Sequence, residues 1–163
     1  MEVYKTYYQS EIGWIEITGN DDGVMTLEFV EARGVSGESL PKCIDECVTQ
    51  LDEYFQGKRQ EFSVKLNWQG TEFQVKVWEA LLTVPYGKTA SYMGIARKLG
   101  DEKAVRAVGT ANGRNNIAII VPCHRVIGSS GSLTGYAYGV WRKDWLLKHE
   151  AEYSKAEKQM DLF

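Results

Sequence analysis

The order of the hydrophobic patterns restricts the possible folds of this chain more than any other feature. In the first third, apolar residues alternate with more polar ones, as Met25, Leu27 and Phe29 do. Such alternation is typical of a half-buried strand. Over one later stretch, and again after residue 70, apolar residues recur at intervals of three and four, the period of an amphipathic helix. The polar connector Asn67-Trp68-Gln69-Gly70 separates the part that contains strands from the part with only helical spacing.

These two patterns predict an α+β chain of two domains. We expect an N-terminal α/β domain over residues 1–67 and a C-terminal helix-turn-helix domain over residues 71–150. Residues 151–163 are polar and are expected to form a frayed tail.

Three short runs in the N-terminal part predict an antiparallel meander, namely Val3–Tyr8, Gly13–Thr18 and Val24–Val30. They are rich in β-branched and aromatic residues and are separated by turn-forming residues. Apolar residues spaced by three and four then predict a helix from about Leu40 to Phe55. Residues 62–66 are a candidate for a further strand.

The C-terminal part carries the signals of several short helices. Thr71-Glu72-Phe73-Gln74 has the form of a capping box, and Pro85-Tyr86-Gly87 ends the helix that follows. Two further helices, from about Ser91 to Leu99 and from Glu102 to about Ala111, are joined by a Gly-Asp turn. Two short helices joined in this way predict a helix-turn-helix.

The end of the chain predicts two more elements. The apolar run Asn116–Val121 indicates a buried strand. Pro122 is expected to end it, because proline has no backbone donor. Trp141–His149 predicts the last helix.

Charge is divided unevenly along the chain. Residues 1–72 hold 14 acidic and 6 basic residues, whereas residues 73–150 hold 5 acidic and 11 basic ones. A basic half predicts an anionic partner such as nucleic acid, although uneven surface charge can also be inert.

Cysteine and histidine usage narrows the class further. Three cysteines, Cys43, Cys47 and Cys123, argue against a disulfide framework, and two histidines give no metal-site pattern. We also find no secretory signal and no apolar run of membrane-spanning length. The sequence therefore predicts a cytoplasmic protein, or a nuclear one in a eukaryote, with no sign of assembly beyond a monomer.

Cys123 and His124 form the candidate chemical centre. Thiolate is the reactive form of cysteine, and the neighbouring His124 and Arg125 would both favour it. Adjacent residues of a regular strand point to opposite faces, so His124 reaches the sulfur only across a backbone turn or through a water. On its own such a pair is more often an inert buried thiol.

Several motifs occur in a fixed order between Gly70 and Glu150. They are Gly70-Thr71-Glu72-Phe73-Gln74, Pro85-Tyr86-Gly87, Ser91-Tyr92, Ala104-Val105-Arg106-Ala107-Val108-Gly109, Ala111-Asn112-Gly113, Pro122-Cys123-His124-Arg125-Val126-Ile127-Gly128, Leu133-Thr134-Gly135-Tyr136, Trp145-Leu146-Leu147 and His149-Glu150. In these motifs the stretch closely resembles the O6-alkylguanine-DNA alkyltransferase family. The resemblance implies a ribonuclease-H-like first domain and a winged-helix-like, DNA-binding second domain that carries the active site.

The resemblance also implies a reaction. An alkyl group would pass from the O6 atom of damaged guanine to Cys123, and each molecule would act once. His124 would take the thiol proton through a water, Glu150 would orient His124, and Tyr92 would donate to the departing oxygen. No cofactor and no metal are expected, because the alkylated DNA is itself the donor.

Double-stranded DNA containing O6-alkylguanine is the partner that the resemblance implies. The damaged nucleotide would be flipped out of the duplex, and Arg106 would enter the stack in its place from a helix in the minor groove. The other residues expected to contact DNA are Ser91, Ala107, Gly109, Ala111, Asn112 and Gly113. The candidate phosphate contacts are Lys76, Lys88, Arg97, Lys98, Lys103 and Arg114.

The loop after the cysteine is expected to close a guanine pocket. By resemblance, Tyr136 lines the pocket, Val126 and Ala137 offer backbone groups, and Lys143 holds the loop. Asn115 is expected to tie the recognition helix to the active-site segment as structural support.

Two positions depart from the frequent family pattern. Asn116 stands where proline is common, and Tyr138 stands where a small residue, often glycine, is common. A phenol at the pocket rim predicts that methyl groups are accepted and benzyl-sized groups poorly. Arg125 is assigned structural or phosphate-binding work.

Three alternatives fit parts of the pattern. The chain could be a non-enzymatic protein that binds alkylated DNA, a regulator built on the helix-turn-helix, or a cysteine hydrolase. Alkylation of Cys123, with one lesion repaired per molecule, distinguishes the repair function from all three alternatives.

Overall fold

The computed structural model describes residues 2–131, 133 and 135–161, with side chains described up to residue 154. The chain divides into two compact units. The first comprises Met1–Gly70 together with Asn116–Ile120, and the second comprises Thr71–Asn115 together with Val121–Phe163.

The first unit is built on an antiparallel meander of β1 (Tyr4–Ser10), β2 (Gly13–Asn20) and β3 (Gly23–Val30). Helix α1 (Lys42–Phe55) packs against this sheet. The core between them includes Ile15, Ile17, Leu27, Ile44 and Leu51, each fully buried. The predicted meander and helix are therefore confirmed.

Residues 62–66 do not form the further strand that the sequence suggested. Only Leu66 pairs with the sheet, through an isolated parallel bridge to Val24. The Val24 amide donates to the Lys65 carbonyl at 2.8 Å, and the Asn67 amide donates to the Val24 carbonyl at 2.8 Å. The segment touches the sheet at one residue instead of running along it.

The apolar segment 116–121 corrects the sequence analysis twice. Residues 116–120 belong to the first unit, although we had assigned them to the second domain. The segment is also not a regular strand: Ile117 makes an isolated bridge to Leu27, and Ile119 then adopts a φ of 70°. Left-handed backbone costs a β-branched residue about 1–2 kcal/mol, and it ends the extended conformation.

The second unit is mostly helical and carries two short paired strands. Its elements are α2 (Glu72–Leu81), β4 (Ala90–Ser91), α3 (Tyr92–Lys98), a 3₁₀ turn (Glu102–Ala104), α4 (Val105–Gly113), a second 3₁₀ turn (Cys123–Arg125), β5 (Val126–Ile127) and α5 (Val140–Asp161). Strands β4 and β5 pair in parallel. The predicted capping box is present at α2, where Thr71 accepts from the Gln74 amide and the Gln74 side chain accepts from the Thr71 amide.

Helices α3 and α4 form the predicted helix-turn-helix. Ser91 caps α3 by accepting from the Gly94 amide at 2.9 Å, and Gly100 turns the chain with a φ of 79°. Asp101 accepts from the Lys103 amide at 3.1 Å and begins a single 3₁₀ turn before α4. The indole of Trp78 donates to the Ala111 carbonyl at 2.9 Å, which fastens α4 to α2.

The fraying predicted for the polar residues after 150 is not observed up to Asp161. Helix α5 continues without a break from Val140 to Asp161. Its first part carries the buried face, and continuing helical hydrogen bonds satisfy the polar backbone of the later turns. Across the described residues, no helix combines the length and apolar character needed to cross a bilayer.

Candidate active site

Cys123, His124 and Arg125 occupy a single 3₁₀ turn that follows Pro122 directly. The Cys123 amide donates to the Val121 carbonyl at 2.8 Å, and the Arg125 amide donates to the Pro122 carbonyl at 3.0 Å. The three residues are buried, with 4%, 0% and 7% of their surface exposed. The backbone therefore makes a turn at Cys123 and His124 and is not a regular strand there. Such a turn is one of the two ways by which the sequence analysis allows His124 to reach the sulfur.

Glu150 of α5 holds both of the residues that follow the cysteine. Its Oε2 lies 2.7 Å from His124 Nε2. Arg125 donates from Nε to Oε1 at 2.7 Å and from Nη2 to Oε2 at 3.1 Å. All of these groups are buried, so the carboxylate is the centre of a desolvated network.

The charge state of Glu150 fixes the tautomer of His124. Burial alone would raise the pKa of Glu150, but His124 and Arg125 outweigh it and hold that pKa well below its ordinary value. An ionised carboxylate only accepts hydrogen bonds. His124 Nε2 must therefore carry a proton, which leaves the lone pair of a neutral ring on Nδ1. That Nδ1 atom is buried and has no hydrogen-bond partner among the described residues.

The thiol of Cys123 is less acidic than the sequence suggested. Burial raises its pKa to about 11, against smaller lowering effects from the Asn115 side chain and the Lys143 charge. The sequence predicts that His124 and Arg125 favour a thiolate, but burial is the largest effect on the thiol and acts in the opposite direction. A neutral thiol beside an oriented base is the resting arrangement.

Two asparagines at the end of α4 face the active-site turn. Asn115 Nδ2 donates to the Val121 carbonyl at 2.8 Å and also hydrogen-bonds the Cys123 sulfur. Asn112 was expected to contact DNA, but it is buried and its Nδ2 lies 3.5 Å from the Cys123 carbonyl. The Asn112 side chain therefore faces the turn that carries Cys123.

The loop before α5 brings aromatic residues toward the thiol. The Tyr136 hydroxyl is buried without a hydrogen-bond partner among the described residues. Burial first, and then Cys123, raise the pKa of Tyr136 well above its ordinary value. The Tyr136 and Tyr138 rings meet edge to face, with centroids 5.5 Å apart. Thr134, part of the matching motif, lies outside the described residues.

The other residues predicted for the pocket divide into buried and exposed ones. Lys143 is fully buried and close enough to Cys123 for their charges to interact. Val126 is buried and its amide donates to the Cys123 carbonyl, whereas Ala137 is exposed. Lys143 and Val126 therefore lie inside the fold, whereas Ala137 lies at its surface.

The residues predicted to bind DNA are likewise split by burial. Arg106, Ala107 and Gly113 are exposed on α4. Gly109 lies against the ring of Tyr92, where an added Cβ would meet Cδ1 at 3.8 Å. Ala111, by contrast, is buried, and Ser91 uses its hydroxyl to cap α3.

The contact between Arg125 and Glu150 is the part of the site that sequence reasoning does not predict. The sequence suggests structural or phosphate-binding work for Arg125, and the side chain is buried on the carboxylate that holds His124. Its position directly after the Cys-His pair was the available signal. The partner 25 residues later could not be identified from local pattern.

The fold and the site together define a class. A nucleophilic thiol with an oriented base, in a unit built on a helix-turn-helix, is typical of a DNA-acting group-transfer protein. Residues 3–68 match the ribonuclease-like domain of 6-O-methylguanine DNA methyltransferase, and residues 72–152 match its DNA binding domain. The chain therefore belongs to the 6-O-methylguanine DNA methyltransferase family.

Individual relatives agree with this assignment over nearly their whole length. A methylated-DNA–protein-cysteine methyltransferase of Methanosarcina barkeri is 46% identical over 155 residues, covering 91% of this chain and 97% of the relative. The crystal structure of Mycobacterium tuberculosis O6-methylguanine methyltransferase superposes with a TM-score of 0.83 at 45% identity, covering 93% and 94% of the two chains. The Mycobacterium tuberculosis protein in complex with DNA gives 0.82 at 46% identity, covering 91% and 93%.

Proposed function

We propose that this protein repairs DNA by transferring the alkyl group of O6-alkylguanine, methyl above all, to its own Cys123. One observation carries the proposal: a buried thiol is followed by an imidazole whose Nε2 is fixed on Glu150 while Nδ1 lacks a partner within the described part of the chain. The relatives named as methylated-DNA–protein-cysteine methyltransferases support it.

The reaction is a single in-line displacement. The Cys123 thiol proton passes through a water to His124 Nδ1, and the sulfur attacks the alkyl carbon. The S–C bond forms as the C–O6 bond breaks, and O6 leaves with the electron pair. Tyr92 donates a hydrogen bond to the departing guanine, which makes it a better leaving group.

The raised pKa of Cys123 explains why a base is needed. With a pKa of about 11, only about one thiol in 10⁴ is ionised at pH 7. A base that takes the thiol proton therefore increases the supply of the nucleophilic thiolate. Glu150 remains anionic beside Arg125 and stabilises the imidazolium that forms.

The product is a thioether, which accounts for single use. Regeneration of the thiol would require a nucleophile to attack the transferred alkyl carbon and displace the thiolate, which is a poor leaving group. The described side chains that interact with Cys123, namely Asn115, Lys143 and Tyr136, do not supply such a reaction. A stable S–C bond therefore leaves the protein alkylated, with one lesion repaired per molecule.

Access to the lesion requires the base to leave the duplex. The target carbon is stacked within DNA, and extruding the nucleotide costs a few kcal/mol, less when damage already weakens pairing. Arg106 is exposed on α4, where its side chain can fill the gap in the stack. The exposed Ala107 and Gly113 permit close approach to the minor groove, where little sequence is read.

We further propose that the protein acts as a monomer in the cytoplasm, or in the nucleus of a eukaryotic cell. Cys43, Cys47 and Cys123 are free thiols. Reducing compartments keep cysteines in that form, which the reaction requires at Cys123.

Peptide mapping after incubation with duplex DNA carrying O6-methylguanine tests the proposal. The added methyl group should lie on Cys123 and not on Cys43 or Cys47. The Cys123→Ala variant should bind the damaged duplex but remove no methyl group. Methyl transfer by Cys123→Ala, or a label on Cys43 in the unmodified chain, would refute the assignment.

The non-enzymatic alternative predicts a different outcome in the same experiment. A protein that only marks alkylated DNA would bind the duplex and leave the lesion in place. The paired His124 and Glu150 give no advantage to such a protein, because burying them carries a desolvation cost without a reaction to serve.

A further inference from the structure

Arg125 joins three segments of the second unit at one buried point. Its Nε and Nη2 donate hydrogen bonds to the two carboxylate oxygens of Glu150 on α5. Its Nη1 donates to the Val84 carbonyl, just past α2, at 2.8 Å. The Tyr86 ring lies beside the guanidinium, 5.6 Å from Cζ to the centroid. Arg125 itself belongs to the turn that carries Cys123 and His124.

We propose that Arg125 is a positioning residue for the reaction: its fork holds the Glu150 carboxylate so that His124 keeps its proton on Nε2 and presents Nδ1 to the thiol. This inference rests on the proposed function, because it assigns a role within the same proton transfer. It adds a fourth member to the thiol, imidazole and carboxylate.

The geometry favours orientation over simple charge pairing. Both Glu150 oxygens are used by Arg125, and Oε2 is shared with His124 at 2.7 Å. A two-point grip fixes the plane of the carboxylate, and with it the direction in which Oε2 accepts from the imidazole. Guanidinium is suited to this task because it is planar and offers a rigid fork, whereas an ammonium group is a point charge.

Of the two roles that the sequence suggests for Arg125, structural and phosphate-binding, burial excludes the second. With 7% of its surface exposed, the side chain cannot reach a phosphate of bound DNA. A metal-binding role is also unsupported, because the described residues contain no cluster of three potential ligands.

Other charged or titratable groups surround the pair. Cys123 precedes His124 on the same turn, Tyr136 approaches from the pocket loop and interacts with both Cys123 and Glu150, and Lys143 of α5 interacts with Cys123. Tyr86 flanks the guanidinium. Arg125 supplies the positive charge in direct contact with the carboxylate, so its removal should make protonation of the His124–Glu150 pair easier.

Two variants test the proposal in the full-length protein. Arg125→Gln removes the charge and the fork, and Arg125→Lys keeps the charge alone. We expect the single-turnover rate on O6-methylguanine DNA to fall about 100-fold in Arg125→Gln, the scale of a misplaced general base. The acid side of its pH–rate profile should also move to higher pH. Arg125→Lys should restore the position of the acid side but only part of the rate.

Imidazole ¹⁵N spectra provide a second readout that does not depend on transfer. The chain has two histidines, so His124 can be assigned by comparison with His124→Gln. The unmodified protein should show protonated Nε2 and unprotonated Nδ1, and Arg125→Gln should show a mixture of tautomers. Arg59→Lys is the matched control, because it alters an arginine–carboxylate pair with Glu53 in the other unit.

The outcomes separate the two proposals. If Arg125→Gln keeps the His124 tautomer and the unmodified pH profile, and loses rate only in proportion to folded protein, Arg125 is merely structural and the inference is overturned. If the unmodified chain alkylates no Cys123, the proposed function fails instead, and the ¹⁵N spectra still decide whether Arg125 sets the tautomer.

Discussion

The sulfur of Cys123 lies in surroundings that raise its pKa to about 11, so at neutral pH it is a neutral thiol. A neutral, buried thiol resists oxidation and stray alkylation, because thiolate is the reactive form. The cost is that the nucleophile must be deprotonated during each reaction. The Nδ1 atom of His124, oriented through Glu150, meets that requirement.

Replacing His124 should therefore make transfer depend on the rare thiolate. We expect His124→Asn to lose about 10²–10⁴-fold in rate at pH 7. Its residual rate should rise about tenfold per pH unit from pH 6 to 10, because the thiolate fraction rises in that proportion below the thiol pKa. Single-turnover transfer measured across this range checks the slope, and a flat profile would mean that His124 is not the base.

Glu150 should make folding stability depend on acid. Its pKa is lowered in the folded protein from an ordinary value of 4.5. The stabilisation is therefore complete above that value and is lost as pH falls below it. Glu150→Gln should cost about 3 kcal/mol at pH 7, because it leaves Arg125 buried without its partner charge.

Denaturant unfolding between pH 7 and pH 2 measures this effect. The difference between Glu150→Gln and the unmodified chain should narrow as pH falls below 4.5. Glu79→Gln, at an exposed position of α2, is the control and should follow the unmodified chain throughout. A difference that stays constant with pH would argue against an ionised Glu150 in the fold.

At the residue scale, the sequence was informative where chemistry is local. Cys123 and His124 are adjacent, and the sequence shows Pro122, which ends the preceding apolar run, directly before them. The contacts of Arg125 and Asn112 inside the site were not predicted, because they depend on burial against other segments of the chain. Charge and hydrogen-bonding capacity are properties of a residue, whereas burial is a property of the fold.

Among the elements, the turn Pro85-Tyr86-Gly87 lies directly against α5. Gly87 has a φ of 79°, and a Cβ there would overlap the Ser154 side chain and approach the Glu150 carbonyl at 3.7 Å. The absence of a side chain at Gly87 thus allows α5 to place Glu150.

Gly87→Ala should be destabilising on two grounds. Left-handed backbone costs alanine about 1–2 kcal/mol, and overpacking against Ser154 adds about 1–3 kcal/mol. Gly100→Ala is the matched control, since Gly100 has the same φ of 79° but nothing within 4 Å of an added Cβ. Urea unfolding should show a larger loss in the free energy of unfolding for Gly87→Ala than for Gly100→Ala. Equal losses would show that α5 accommodates the added methyl group without destabilisation.

The loop before α5 should set the size of the accepted group. Tyr138 packs edge to face on Tyr136, and we expect its ring to narrow the rim of the predicted guanine pocket. We expect transfer from O6-methylguanine to be much faster than from O6-benzylguanine, because steric exclusion acts on the larger group. Tyr138→Gly should raise the benzyl rate relative to the methyl rate, while Tyr138→Phe, which keeps the ring, should not.

Comparable benzyl and methyl rates in the unmodified protein would contradict this account of Tyr138. A rise in Tyr138→Phe equal to that in Tyr138→Gly would implicate the hydroxyl and not the ring. Both outcomes are read from the same rate comparison.

At the element scale, helices were predicted better than extended segments. The caps at Thr71 and Ser91 are local signals, and α2 and α3 begin at the residues directly after them. The turn at Gly100 is a local signal too, and it follows the end of α3. Segment 116–121 was misread, because an uninterrupted apolar run indicates burial without specifying a regular strand. Its left-handed residue, Ile119, contradicts local preference and is imposed by tertiary packing.

For the molecule as a whole, only some of the basic residues that make residues 73–150 positively charged lie on the surface. Two of the basic residues in 73–150, Arg125 and Lys143, are buried at the active site and are unavailable to DNA. Exposed Arg106, Lys98 and Lys103 of the helix-turn-helix remain on the surface. The basic half therefore serves two purposes, electrostatic attraction of DNA and organisation of the site.

The division into two units could not be derived fully from the sequence. The polar connector Asn67-Trp68-Gln69-Gly70 predicted the first boundary, which lies at Gly70. The excursion of residues 116–120 into the first unit depends on hydrogen bonds between Leu27 and both Asn116 and Ala118. Pairings between residues about 90 positions apart leave no local pattern.

The most direct test of the account counts lesions against protein molecules. Known amounts of protein are mixed with excess duplex carrying O6-methylguanine, and the repaired bases and the intact protein mass are measured together. The account predicts one repaired guanine per chain and one methyl group retained on each Cys123. Repair of many lesions per chain, or repair that leaves the protein mass unchanged, would contradict it.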